Sequence, residues 1–157
     1  MEDLLIGGWQ VNGITTIQGG TPLQISASNS LSSFDFQTLY ANTNFQNAAI
    51  HGDIHQRLNR YFNTADFSQP AAFTLGNGPA YYNTLRSPEL DSTDLSLIKE
   101  FNPLERLKVQ FRTELFNAFN HVQFGSPDTG VNDATFGQIS AQNNSPRQLQ
   151  FGLKLMF

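Results

Sequence analysis

The sequence predicts an all-β fold, an antiparallel up-and-down meander of about five strands. Three observations carry that expectation. Five segments, approximately 6–18, 22–28, 93–101, 106–119 and 147–157, alternate apolar with polar residues and are rich in β-branched and aromatic side chains. Two long polar stretches without periodicity, approximately 29–90 and 120–146, separate them. The tail RQLQFGLKLMF, Arg147 to Phe157, keeps its alternation to the last residue, where chains in water usually fray.

The first segment reads IGGWQVNGITTIQ. Trp9, Val11, Thr15 and Ile17 share one parity, while Gln10, Asn12, Thr16 and Gln18 hold the other. Gly19-Gly20-Thr21-Pro22 is a tight breaker. Leu23, Ile25 and Ala27 then alternate with Gln24, Ser26 and Ser28, so the first two strands are expected to form a hairpin. Short helical pieces are possible around Gln56 to Asn63 within the first long stretch. Thr93, Leu95, Leu97 and Phe101 oppose Asp94, Ser96 and Glu100 in the third strand, and Asn102-Pro103 marks a short turn. In the fourth, Leu107, Val109, Phe111, Thr113, Leu115 and Phe119 oppose Lys108, Gln110, Arg112 and Glu114. Helical spacing also fits Leu104, Leu107, Phe111, Leu115 and Ala118, but a helix has no reason to keep all four charged or polar residues on one parity.

Composition narrows the class. The 157 residues carry formal net charge -4, so no basic field argues for nucleic acid or anionic lipid. Charged residues make up 14%, well below the usual quarter, and Asn, Gln, Ser and Thr supply the polarity beside 14 Phe. That mixture suits an apolar exterior around a neutral, wet interior. Cysteine is absent, which removes disulfides, zinc-thiolate sites and thiol nucleophiles. No apolar run approaches the roughly 20 residues of a spanning helix. The start, MEDLLIGGWQ, is acidic and lacks a long apolar region, so it is no secretory signal. The chain is then either cytoplasmic or a piece of an exported protein, and its patterning favours the second.

Connection lengths alternate between tight and long, as in outer-membrane barrels with short periplasmic turns and long extracellular loops. Strand lengths agree, since about 9–11 tilted residues cross a bilayer. The sequence therefore predicts a partial transmembrane β-barrel. Leu107, Val109, Phe111, Leu115, Leu149, Phe151, Leu153 and Leu155 are expected to face lipid, with Lys108, Arg112 and Glu114 toward the lumen. Trp9 and Phe101 read as interface anchors.

The blocks GGWQVNGITTIQGGTPLQIS, RLNRYFNTADF, LRSPELDSTDLSLIKEF, VQFRTELFNAFNHVQFG and RQLQFGLKLMF, in that order, resemble the C-terminal end of TonB-dependent outer-membrane receptors. The Oar-like branch, with its carboxypeptidase-regulatory-like N-terminal domain, is the nearest likeness. The tail also resembles the C-terminal assembly signal of outer-membrane proteins, with Gln150, Gly152, Leu155 and Phe157 in its places. The resemblance implies a location in the outer membrane of a Gram-negative bacterium and a complete barrel of about 22 strands with a plugged lumen. It implies as partners the outer-membrane lipid, the barrel-assembly machinery, the remainder of barrel and plug, and the TonB system. The chain departs from the family in lacking a plug, a TonB-contacting segment and a signal peptide. About five strands cannot close a barrel either, so a C-terminal fragment of a ligand importer is expected.

Candidate sites are sparse. His51, Asp53 and His55 could converge on a metal if extended, against the plainer reading of a solvated loop. Arg60-Tyr61-Phe62-Asn63 and Tyr81-Tyr82 could stack on a ligand, or simply pack the long stretch onto itself. Asp128 and Asp133 resemble calcium-loop composition without its positional pattern, and Gly125 and Gly130 read as turn residues. No nucleophile elbow or phosphate cradle occurs, so no enzyme activity and no cofactor is expected. The competing class is a soluble β-rich binding or adhesion module using the long Asn/Phe-rich stretch. It would bury the apolar strand faces against a second layer.

Overall fold

A computed structural model describes residues 6–31, 33 and 38–157. Along the chain run β1 (Trp9–Gln18), β2 (Pro22–Leu23), β3 (Ser26–Ala27), β4 (Leu39–Tyr40), β5 (Asn42–Thr43) and a one-turn helix α1 (Ile54–Arg57). A 3-10 turn at Thr64–Asp66 precedes β6 (Phe67–Ser68), followed by β7 (Tyr82–Arg86), β8 (Leu90–Leu104), β9 (Leu107–Phe116) and β10 (Gln148–Met156). The chain is all-β and antiparallel in every strand pair among the named strands. It divides into two compact units. One comprises the chain up to Gln18, Leu90–Gln123 and Asn143–Phe157; the other comprises Gly19–Glu89 and Phe124–Gln142.

The first unit is a four-stranded sheet in the order β1-β8-β9-β10. β1 lies against β8 without interruption from Trp9 opposite Lys99 to Gln18 opposite Leu90. This corrects the expected hairpin between the first two segments. Segment 22–28 forms only β2 and β3, which pair with β7 and β4, and its Leu23 and Ile25 are buried in the other unit's core. The main sheet thus holds four strands rather than five.

The turn between β8 and β9 is also displaced from its expected place. It falls at Glu105 and Arg106, with Leu104 opposite Leu107, while Asn102 and Pro103 belong to β8. The ladder shifts register between Phe101 and Leu104. Proline has no N–H to give a ladder, so a bulge is where a strand tolerates it. β9 stops at Phe116 because Asn117 turns the chain at φ 51, a left-handed conformation that Asn tolerates better than most residues. The Asn117 amide donates to the carbonyls of His121 and Ser145, and its backbone N–H donates to Asp94.

The second unit gives structure to stretches that carry no periodicity. Its core is Leu23, Ile25, Ala41, Ala48, Tyr61, Phe62, Phe67, Leu85 and Ile139. Phe62 is fully buried at the centre, meeting Phe67 and Phe136 edge-on at centroid distances of 5.7 and 5.3 Å. Backbone bonds knit the two long stretches together, with Tyr61 N–H donating to Gly137 and Ile139 N–H to Leu58, and Ser26 N–H of β3 donates to Thr129. At the base of the first stretch, Thr21 and Ser87 share hydrogen bonds, and a Cβ on Gly20 would lie 1.7 Å from the Ser87 carbonyl oxygen. Only a residue without a side chain lets the outgoing and returning strands touch there. The expected helix is a single turn, Ile54–Arg57, capped by Asp53, whose side chain accepts from the His55 N–H.

Phe62→Ala should therefore destabilise this unit by about 3–5 kcal/mol. Denaturant unfolding of the detergent-solubilised chain checks it, with the exposed Leu75→Ala expected to change stability by less than about 0.5 kcal/mol.

Candidate membrane-spanning sheet and its two faces

Residues directly opposite one another across an antiparallel ladder point to the same side. The register therefore sorts the sheet into two faces without reference to any side-chain contact. One row runs Trp9, Lys99, Phe111, Leu153; the next runs Val11, Leu97, Thr113, Phe151; and a third runs Gly13, Leu95, Leu115, Leu149. Toward the turn lies Phe101, Val109, Leu155, and away from it lie Thr15 with Thr93 and Ile17 with Asp91. The register thus gathers Val109, Phe111, Leu115, Leu149, Phe151, Leu153 and Leu155 on one face, and Leu107 follows the same parity on β9. The outer strand is the more open: Phe151 is 64% exposed, whereas Val109, flanked by Phe101 and Leu155, is 8% exposed. Phe111 and Phe151 stack with centroids 6.1 Å apart. Of the hydroxyls on this face, those of Thr15 and Thr93 bond each other at 3.1 Å. Sequence periodicity passes over Lys99, whose place among the apolar residues shows only in the register.

The opposite face is polar and internally paired. Glu100 accepts from Lys108 at 2.6 Å and from Gln110 at 2.5 Å, and Arg112 pairs with Glu114 at 3.3 Å. Asn12 donates to Ser96 at 3.4 Å. Lys108, Arg112 and Glu114 thus share one face, opposite the apolar set. Gln110, Arg112, Glu114, Gln150, Gly152 and Lys154 border a shallow hollow of about 360 Å³. Apolar residues on this face include Ile14 and Ile98, opposite Asp94 and Arg112 respectively, and Leu90, Phe116 and Met156 near the strand ends.

The tail residues divide between the faces. Gln150 and Gly152 lie on the polar side, Leu155 on the apolar side, and Phe157, just past β10, is 96% exposed. β10 is an edge strand, and an edge presents a row of backbone donors and acceptors to a further strand. A Cβ added to Gly152 would meet only the Arg112 Cβ, at an ordinary 3.9 Å. Packing within this sheet does not require glycine there.

The other sequence candidates serve the second unit's structure. Asp53 caps α1, and the His55 ring sits edge-on to Phe124 at 5.2 Å. Among the described residues no three His, Cys, Asp or Glu side chains gather as a metal site, so His51, Asp53 and His55 are not brought together. Tyr61 and Phe62 are buried, and the Tyr61 hydroxyl donates to the Arg86 carbonyl at 2.9 Å. Burial raises the Tyr61 hydroxyl above its ordinary pKa, with Arg57 over the ring opposing the shift. Tyr82 packs on Phe67, while Tyr81 is exposed. Arg60 donates to Asn63. Two features escape sequence reading. Asp66 is buried and accepts from the Thr43 hydroxyl at 2.8 Å. Phe45 and Phe73 are exposed and hold φ of 57 and 60, unfavourable for bulky side chains.

Asp128 accepts from the Gly130 N–H and the Thr135 hydroxyl, and a Cβ on Gly130 would collide with the Asp133 carboxylate. Burial pushes the Asp128 carboxyl upward, but hydrogen bonds from Thr135 and Gly130, with Asp133 and Thr129 adding to them, outweigh it and hold the pKa below its ordinary value. A depressed folded-state pKa stabilises the fold above the ordinary carboxylate range and loses that contribution as pH falls through the folded value. Acidification below about 4 should therefore loosen the 128–137 turn. Amide exchange at Gly130 and Gly137 reads this, and Asp128→Asn should remove the pH dependence.

A family model described as outer membrane beta barrel domain matches residues 1–150. No curated protein and no solved structure matches the chain. An antiparallel sheet with one apolar and one ion-paired face is what a barrel wall between lipid and water requires. The chain belongs to the outer-membrane β-barrel domain family and is a protein of the Gram-negative outer membrane.

Proposed function

We propose that the chain supplies the terminal strands of a TonB-dependent outer-membrane receptor of the Oar-like branch, a ligand importer without enzymatic activity. The observation that carries the proposal is the connectivity of the sheet. β1 and β8 are joined by a long excursion, β8 and β9 by a two-residue turn, and β9 and β10 by another long excursion. Both excursions leave from one end of the sheet, and the short turn and the end of β10 share the other. With the short turn in the periplasm, the folded excursions become extracellular segments. The five sequence blocks in family order add the branch.

In this arrangement the apolar face meets lipid. From Phe101 back to Asp91 the strand covers about 33 Å, or about 23 Å along the membrane normal at 45° tilt, close to the apolar band of about 25 Å. The polar face lines the lumen, where Lys108, Arg112 and Glu114 meet water or a plug supplied by sequence outside these 157 residues. Gln150, Gly152, Leu155 and Phe157 form the assembly address on an edge strand that the barrel-assembly machinery pairs with before the rest of the barrel does. The absence of any packing demand for glycine at 152 supports a requirement set by that partner.

Reading the coding DNA upstream of Met1 tests the assignment. An in-frame continuation encoding a plug and a signal peptide is expected, and a neighbouring frame with neither would sink it. The lipid-facing assignment has its own test in lipid vesicles. Phe151→Arg should cost about 2–4 kcal/mol of folding stability, whereas Gln150→Arg on the lumen face should cost less than about 1 kcal/mol. Equal costs would exchange or erase the two faces.

A further inference from the structure

Lys99 stands on the apolar face, opposite Trp9 on one side and Phe111 on the other. Leu97 and Phe101 flank it along β8, and it is 8% exposed. Its ammonium lies 4.9 Å from the centre of the Trp9 ring and donates to the Gly7 carbonyl. Gly7 precedes β1, so the side chain reaches back past Trp9 toward the end of the sheet that carries the short turn. Among the described residues no carboxylate stands within ion-pair distance of it. Glu100, its neighbour in sequence, points to the other face and is engaged by Lys108 and Gln110.

A lysine at such a position places its stem along apolar surface and its head at the membrane boundary. An ammonium offers three donors, and the Gly7 carbonyl takes one. Two donors remain beyond that bond. We propose that Lys99 and Trp9 form a binding site for the phosphate of an anionic phospholipid in the periplasmic leaflet, with an acyl chain lying along Val11, Leu97 and Phe111. The inference rests on the lipid-facing assignment of this face. It is local: net charge -4 gives the chain no general attraction for anionic lipid.

Trp9 is the sequence's single tryptophan and reports on the site directly. The full chain is reconstituted in phosphatidylcholine vesicles holding a minority of phosphatidylglycerol, with brominated acyl chains on one lipid or the other. Brominated phosphatidylglycerol should quench Trp9 as though enriched about fivefold over its mole fraction, the gain expected of one lysine at an anionic surface. Lys99→Gln should abolish the enrichment and keep quenching by brominated phosphatidylcholine, and Lys99→Arg should retain the enrichment. Quenching in proportion to mole fraction, or an enrichment that survives Lys99→Gln, would overturn the site while leaving the face in lipid. If neither brominated lipid quenches Trp9, the lipid-facing assignment falls and the site with it.

Discussion

The structure depends first on the register of one ladder, β1 against β8. Within a bilayer every backbone N–H and C=O must find a partner in the protein, so a spanning sheet admits no casual gaps. Because side chains alternate with a period of two, a slip of one residue would move an entire apolar set to the opposite face. The uninterrupted pairing from Trp9–Lys99 to Gln18–Leu90 prevents that, although the two strands lie far apart in sequence. The main sheet's register shift falls between Phe101 and Leu104, beside the turn, where Pro103 would otherwise leave a missing donor in mid-sheet.

The two units solve different problems with the same residue vocabulary. In the sheet, phenylalanine faces outward, and Phe111 and Phe151 cover the surface by stacking along it. In the unit built from the long excursions, Phe62, Phe67 and Phe136 turn inward and meet edge-on. Neutral polar residues carry the rest. The Asn77 amide accepts from the Thr43 N–H and donates to the Thr43 carbonyl, so one side chain replaces a strand's backbone. The buried Asp66 is met by another neutral partner, the Thr43 hydroxyl.

On the polar face charge is kept close to charge. Glu100 is held by residues of the adjoining strand, and Arg112 by Glu114 two positions along its own strand. Such exposed pairs contribute little individually; their effect is to leave few isolated charges along a wall. The edges differ in kind. Their backbone groups are unsolved until further strands arrive, which makes pairing with other strands a physical condition of the membrane-embedded form.

Alternation alone determined the strands that became β1, β8, β9 and β10, and which of their residues share the apolar face. That information is local, because a half-buried strand repeats every two residues whatever it pairs with. The partner of the first strand was not legible. The breaker Gly19–Pro22 suggested a hairpin, but Leu23 and Ile25 gain more from a core whose other members, such as Tyr61, Leu85 and Ile139, lie far along the chain. The turn at Asn102-Pro103 was misplaced because proline marks both turns and bulges, and only the partner strand distinguishes them. Lys99 carried no signal, since a charged residue within an apolar parity reads as noise until Trp9 and Gly7 are seen beside it. The excursions were opaque for the same reason: their core is assembled from single residues of short, irregular segments. Tertiary structure decided what non-local contact decides, and the sequence by itself determined what repeats along one strand.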